Sequence, residues 1–157
     1  MIKRWSTFNE SASSDNFRDE VNKIRQYFLE YEDDNIVSYQ MYAFTRTFTY
    51  GRRENEMLWS VNPNTGNFDR WVDSQTEEAN RYDAKDLDNY PFIFTATVKI
   101  QSTYSELDDF GVDKLKDVLT TFDRLKDSYD KVLIDMNSQN QDYKPVRLKI
   151  YFNPIVD

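Results

Sequence analysis

The chain has 157 residues, with 20 Lys and Arg against 28 Asp and Glu, and it contains neither His nor Cys. One domain is the expectation at this length, burying roughly 70% of the unfolded surface. The net charge of −8 argues against general nucleic-acid binding and against anionic membrane surfaces, both of which select for excess Lys and Arg. The missing Cys exclude disulfides and thiolate chemistry, and the missing His removes the usual zinc ligand and general base.

The opening, Met1 to Glu10, has no apolar stretch of the secretory kind, and no run in the chain approaches the roughly 18 apolar residues that cross a bilayer. The expectation is a soluble, cytoplasmic protein, with 1–13 as an extended segment before the first helix. Ser14, Asp15 and Asn16 are candidate caps for that helix, and Asp19 and Glu20 suit its first turn. Phe17, Val21, Ile24, Phe28 and Tyr31 follow at spacings of three and four, forming one apolar stripe. Glu32, Asp33, Asp34 and Asn35 should end it.

Residues 36–50 are rich in Tyr, Phe and Thr and read as a strand. Val37, Tyr39, Met41 and Ala43 share one face, while Tyr42, Phe44, Phe48 and Tyr50 share the other. Apolar groups on both faces predict a bulge or bend near Ala43. Gly51 to Asn55 reads as a turn, and Met57, Trp59 and Val61 as the next strand. Asn62-Pro63-Asn64-Thr65-Gly66 reads as a five-residue hairpin loop, with 68–72 as the return strand. The acidic stretch 73–91 reads as a long loop.

Residues 92–101 give the clearest alternation. Phe92, Phe94, Ala96, Val98 and Ile100 point inward, with Thr95, Thr97, Lys99 and Gln101 outward and Ile93 as the exception. The last strand repeats the pattern, with Val146, Leu148, Ile150 and Phe152 inward and Arg147, Lys149 and Tyr151 outward. Between them a long helix is expected, capped by Asp113 and carrying Leu115, Val118, Phe122, Leu125, Tyr129, Val132 and Met136.

The order α-β-β-β-β-α-β predicts an α+β two-layer sandwich over 1–157. It has a mostly antiparallel sheet of about five strands and two main helices on one face. A helix joining the 92–101 and 146–152 strands predicts that these two run parallel, adjacent or separated by one strand.

No nucleotide loop or Ser-His pair is possible with this composition. Carboxylates are the remaining catalysts, and Glu106, Asp108, Asp109 and Asp113 form a cluster suited to a hard cation or to a helix cap. Neither Asn62-x-Asn64 nor Asp135-x-Asn137 completes a calcium loop. The most distinctive surface is the outward sheet face, where Lys99, Arg147 and Lys149 would gather positive charge on an acidic protein, with Tyr151 beside them. Trp5 and Phe8 are large apolar groups suited to anchoring the leading segment on this protein's core or on a partner.

The segment Ile2-Lys3-Arg4-Trp5-Ser6-Thr7-Phe8-Asn9-Glu10-Ser11 resembles the short leaders of small proteins of large contractile-tailed bacteriophages. Some such leaders direct proteins into the prohead and are cut after a Glu that precedes a small residue, as Glu10 precedes Ser11 and Ala12. Phe8 stands where those sites carry Leu or Ile. The resemblance implies a virion or host-cell location and a protein partner. The resulting expectation is a non-enzymatic protein-binding accessory or virion protein, without cofactor or metal. Trp5, Phe8, Lys99, Arg147, Lys149 and Tyr151 are its partner-binding candidates, and its oligomeric state is open. A small acidic inhibitor of a host or defence enzyme, with DNA mimicry as one form of it, and a carboxylate-based metal-dependent enzyme are the alternatives.

Overall fold

The computed structural model describes residues 13–49, 52–72, 90–101, 106–136 and 143–153. Its elements are α1 (Ser13–Gln26), α2 (Leu29–Asp33), β1 (Val37–Thr49), β2 (Arg52–Val61), β3 (Phe68–Val72), β4 (Phe92–Gln101), α3 (Asp109–Ser128), β5 (Lys131–Asp135) and β6 (Tyr143–Phe152). The fold is α+β, with one six-stranded sheet in the order β3-β2-β1-β4-β6-β5.

Neighbouring strands run antiparallel throughout. β1 pairs with β2, and β2 with β3, in this sense. The Phe44 N–H donates to Pro91 O and the Lys99 N–H to Ile36 O, both at 2.8 Å, so β1 and β4 also run in opposite directions. Phe92 at the start of β4 stacks on Phe152 at the end of β6, 5.6 Å apart, while Lys99 near the end of β4 lies over Tyr143 at the start of β6. The parallel arrangement expected of β4 and β6 is therefore wrong. Its error lies in the connection, because the helix feeds β5 and a hairpin then reverses into β6. The strand that returns parallel to β4 is β5, with β6 between them.

The sequence reading missed β5 by extending the helical stripe through Val132 to Met136. The helix stops at Ser128, and Tyr129 is extended with φ −131° and ψ 138°. Lys131-Val132-Leu133-Ile134-Asp135 then alternates as a strand, favoured by its β-branched residues. At the other end the cap is Asp108 rather than Asp113. Its Oδ1 accepts the Gly111 N–H at 2.8 Å. Gly111 lies within the first turn, where a Cβ would meet Leu107 Cδ2 at 3.1 Å and Gln101 O at 3.3 Å.

The first helix begins at Ser13, so Ser14, Asp15 and Asn16 lie in its first turn instead of capping it. Its stripe continues through a break at Tyr27–Phe28, whose N–H groups donate to Ile24 O and Arg25 O in tighter i−3 bonds. Val21, Ile24, Phe28 and Tyr31 are all buried, as the spacing predicts. Asn35, at φ 59°, ends the helical segment. Its N–H donates to Glu32 O and the Ile36 N–H to Tyr31 O, both at 3.0 Å, which is a Schellman closure.

The chain divides into two compact units. The first comprises 1–22, 40–94 and 151–157. Here Met41, Tyr42, Ala43 and Phe44 are buried in succession, so both faces of β1 are covered. The bulge that this pattern led us to expect near Ala43 sits instead between Thr47 and Phe48. Tyr42, Phe44, Leu58, Val72, Ile93 and Tyr151 form one cluster, with Tyr90 packed against it. Trp59 lies opposite Ala43 and Trp71 and donates its indole N–H to Thr45 Oγ1 at 3.0 Å. The loop expected over 62–66 forms one residue longer, over 62–67, with the Asn62 N–H donating to Asn67 O at 2.8 Å. Asn62 Oδ1 accepts from the N–H groups of Asn64 and Thr65, and Gly66 takes φ 76°.

The second unit comprises 23–39 and 95–150. Phe28 lies 6.2 Å from Tyr39 in an edge-on contact. On α3, Val118, Thr121 and Leu125 are buried, and the helix packs on β5. Two contacts across large sequence separations tie α3 to the chain around α2. The Tyr27 and Ser128 hydroxyls are 2.9 Å apart, and Lys114 Nζ is 2.9 Å from Asp34 Oδ2.

Candidate functional site

Within the second unit, one sheet face is composed of the alternate residues of β4, β6 and β5 that point away from the buried Val98, Ile100, Val146, Leu148 and Ile150. Lys99, Tyr143, Arg147, Lys149, Lys131, Leu133 and Asp135 occupy it by strand alternation. Lys99 is exposed, and its ammonium sits 5.3 Å from the Tyr143 ring centre, within cation–π range. Arg147 Nη1 and Lys149 Nζ each lie 3.9 Å from Asp135 Oδ2. These are ion-pair distances, longer than direct hydrogen bonds. One carboxylate thus stands between two cations, and Lys131 adds another positive group on the same strand as that carboxylate.

The face brings three of the sequence candidates into one region but arranges them differently from the expectation. Because β4 and β6 are antiparallel, Lys99 neighbours the Tyr143 end of β6. Lys149 lies further along the strand, and its side chain is only 13% exposed. Tyr151 is not a surface residue: it is 2% exposed and belongs to the buried cluster of the first unit. Trp5 and Phe8 lie outside the described residues. Sequence reasoning missed Asp135, Lys131 and Leu133 because it had no β5, and Tyr143 because it began the last strand at 146 rather than at 143. The signal was present in the period-two alternation of 131–135 immediately after Asp130.

Three members of the acidic clusters take structural roles. Asp108 caps α3, Glu32 pairs with Arg25 at 2.9 Å, and Asp34 pairs with Lys114. Among the described residues, no three Asp or Glu side chains gather to hold a metal ion.

Among the described residues, the ionisable groups most displaced from their ordinary behaviour surround α2 and lie off the cationic face. Burial pushes the Tyr31 phenol up to about 12, reinforced by the charges of Glu30 and Asp117 and opposed by its hydrogen bond with Thr121. Burial and the Glu32 carboxylate push Tyr39 up as well. Burial also acts to raise Glu32, but the nearby Tyr39 hydroxyl, the hydrogen bonds from Arg25 and the Arg25 charge outweigh it and hold the carboxyl below its usual range. Arg25 additionally lies 5.0 Å from the Tyr39 ring centre. This linked set fixes the helix break and its exit into β1. A groove of about 350 Å³ opens nearby, lined by Gln26, Tyr27, Leu29, Glu30, Thr121 and Arg124.

No helix among the described residues is long and apolar enough to cross a membrane. Comparison with protein-family models, curated proteins and solved structures finds no match.

Proposed function

We propose that this chain acts by binding another protein rather than by catalysis, as an accessory or virion-associated protein of tailed-phage origin. Its contact surface for an acidic partner is then the face carrying Lys99, Arg147 and Lys149. The observation behind this reading is the concentration of cations on one sheet face of a chain whose net charge is −8. Such segregation steers an acidic partner to one side of the molecule and sets its orientation. The leader-like opening supports the phage setting and a location in the host cell or virion.

The test compares capture of proteins from phage-infected host lysate by the tagged full chain and by its Lys99→Glu/Arg147→Gln variant. Lys149 is left intact, since a carboxylate there would be largely buried beside Asp135 and would perturb the fold. A partner whose recovery falls at least about tenfold with the variant supports the reading, as expected for loss of complementary interfacial charges. Equal recovery by both proteins removes this face. Heat released on titrating the chain with Mg²⁺, Mn²⁺ or Ca²⁺ would instead favour the metal-dependent reading.

A further inference from the structure

The six-stranded sheet ends at two edges, β3 and β5, and these differ in what they offer to a second copy of the chain. An edge strand presents a row of backbone N–H and C=O groups that another strand can continue. In an isologous pairing the two edge strands run antiparallel about a two-fold axis normal to the sheet, so one residue faces its own copy and the others pair symmetrically around it.

For β5 the central residue is Leu133. In that register Val132 faces Ile134 of the other copy, and Lys131 faces Asp135 of the other copy, each pair occurring twice. Every opposed pair is then apolar with apolar or positive with negative. Leu133 is also among the large apolar side chains left exposed, at 44%. Strand β3 behaves oppositely. Its sequence, Phe68-Asp69-Arg70-Trp71-Val72, centres on Arg70, so self-pairing sets two guanidinium groups against each other and Asp69 against Trp71. Like charges directly opposed destabilise a strand pair, and opposed unlike charges stabilise it. One edge is thus guarded against a second copy while the other is complementary to it.

We propose that the chain self-associates through β5, joining two sheets into one of twelve strands with Leu133 at the two-fold axis. Among the described residues no strand occupies the far side of β5. The pairing adds about four to six backbone hydrogen bonds, according to which residue parity faces outward. It also continues the cationic face across the axis, since Lys131, Leu133 and Asp135 share that face. The proposal does not depend on the identity of any other partner. A contact five residues long lies below the size of a stable obligate interface, so the dimer is concentration-dependent.

Sedimentation velocity of the full chain from low micromolar to several hundred micromolar should show the species shifting from 18.9 kDa towards twice that mass. Leu133→Lys places two ammonium groups at the axis and should weaken association at least about tenfold. Lys131→Asp and Asp135→Lys should each be monomeric alone, yet form a one-to-one heterodimer when mixed, because only the mixed pair restores both attractions. Circular dichroism establishes that each variant is folded. Should Asp135→Lys fail to fold, the Leu133→Lys comparison decides alone. A wild-type chain that stays monomeric throughout overturns the proposal, even if an extended peptide of another protein binds this edge. A dimer indifferent to Leu133→Lys, or mixed charge variants that do not associate, also overturns it.

Discussion

Tyr31→Phe tests how the packing around α2 works, because its effect should reverse sign with pH. Tyr31 is fully buried, and its hydroxyl lies 3.4 Å from Thr121 Oγ1. The Thr121 hydroxyl also meets Asp117 O at 3.1 Å, and either hydroxyl can donate in the longer Tyr31–Thr121 contact. A hydrogen bond stretched this far falls at the weak end of the net range, and its loss should cost about 0.5 kcal/mol at pH 8. The alkaline limb runs the other way. The phenol is raised from 10.0 in the unfolded chain to about 12 in the folded protein, chiefly by burial. Between those values the unfolded state releases a proton that the folded state keeps. The stabilisation is therefore complete below pH 10 and is lost as pH rises through 12. The loss from this one group is about 1.4 kcal/mol at pH 11 and approaches about 2.7 kcal/mol beyond pH 12. Phe has no proton to lose, so the variant should be less stable than wild type at pH 8 and more stable by roughly 1 kcal/mol at pH 11. Tyr39 titrates in both proteins and cancels in the difference. With no His in the chain, the baseline between pH 6 and 9 should be nearly flat. Urea unfolding followed by circular dichroism at pH 8, 10 and 11 measures all of this, and parallel stability curves for the two proteins would refute the reasoning.

Substitutions at two further positions probe the ends of the helices. Asn35 holds a left-handed conformation at φ 59°, so Asn35→Val should cost about 1–2 kcal/mol, whereas Asn35→Gly should stay within about 0.5 kcal/mol of wild type or gain; urea midpoints for the pair measure this. Asp108→Ala removes the acceptor for the Gly111 N–H and should cost about 1 kcal/mol, read as a lowered thermal midpoint.

How far the sequence determined this structure varies with how local the signal is. The stripe Val21, Ile24, Phe28 and Tyr31 and the alternation of 92–101 depend only on period, and both bury the inward residues expected, although Thr95, expected outward, is buried as well. The helix break at Tyr27–Phe28 leaves the stripe in phase, so periodicity could not reveal it. The end of α3 was obscured for a related reason. Val132 and Met136 continue a spacing of three and four after Tyr129, while Val132 and Ile134 equally satisfy a spacing of two. Only the extended backbone at Tyr129 decides between them. The burial of Tyr151 was not legible at all. Its outward parity matches Arg147 and Lys149, but at that end of β6 the outward side is covered by the cluster that includes Tyr42, Phe44 and Ile93. A strand that is half-solvated at one end and buried on both faces at the other defeats any single rule of alternation.

The missed strand also changes what the cationic face is. Had β6 followed α3 directly, it would have lain parallel to β4, with Lys99, Arg147 and Lys149 beside one another and no carboxylate among them. The hairpin through β5 instead turns β6 around and delivers Asp135 to the flank of Arg147 and Lys149, 3.9 Å from each. The carboxylate moderates the repulsion between two neighbouring cations, one of which is largely buried, and the strand can then keep both of them in the sheet. It leaves Lys99, over the Tyr143 ring at the opposite end of the strand, as the cation most exposed to a partner. The same alternation that delivers Asp135 places Lys131 and Leu133 at the sheet edge. A single five-residue strand thus sets both the charge distribution of the face and the complementarity of the edge next to it.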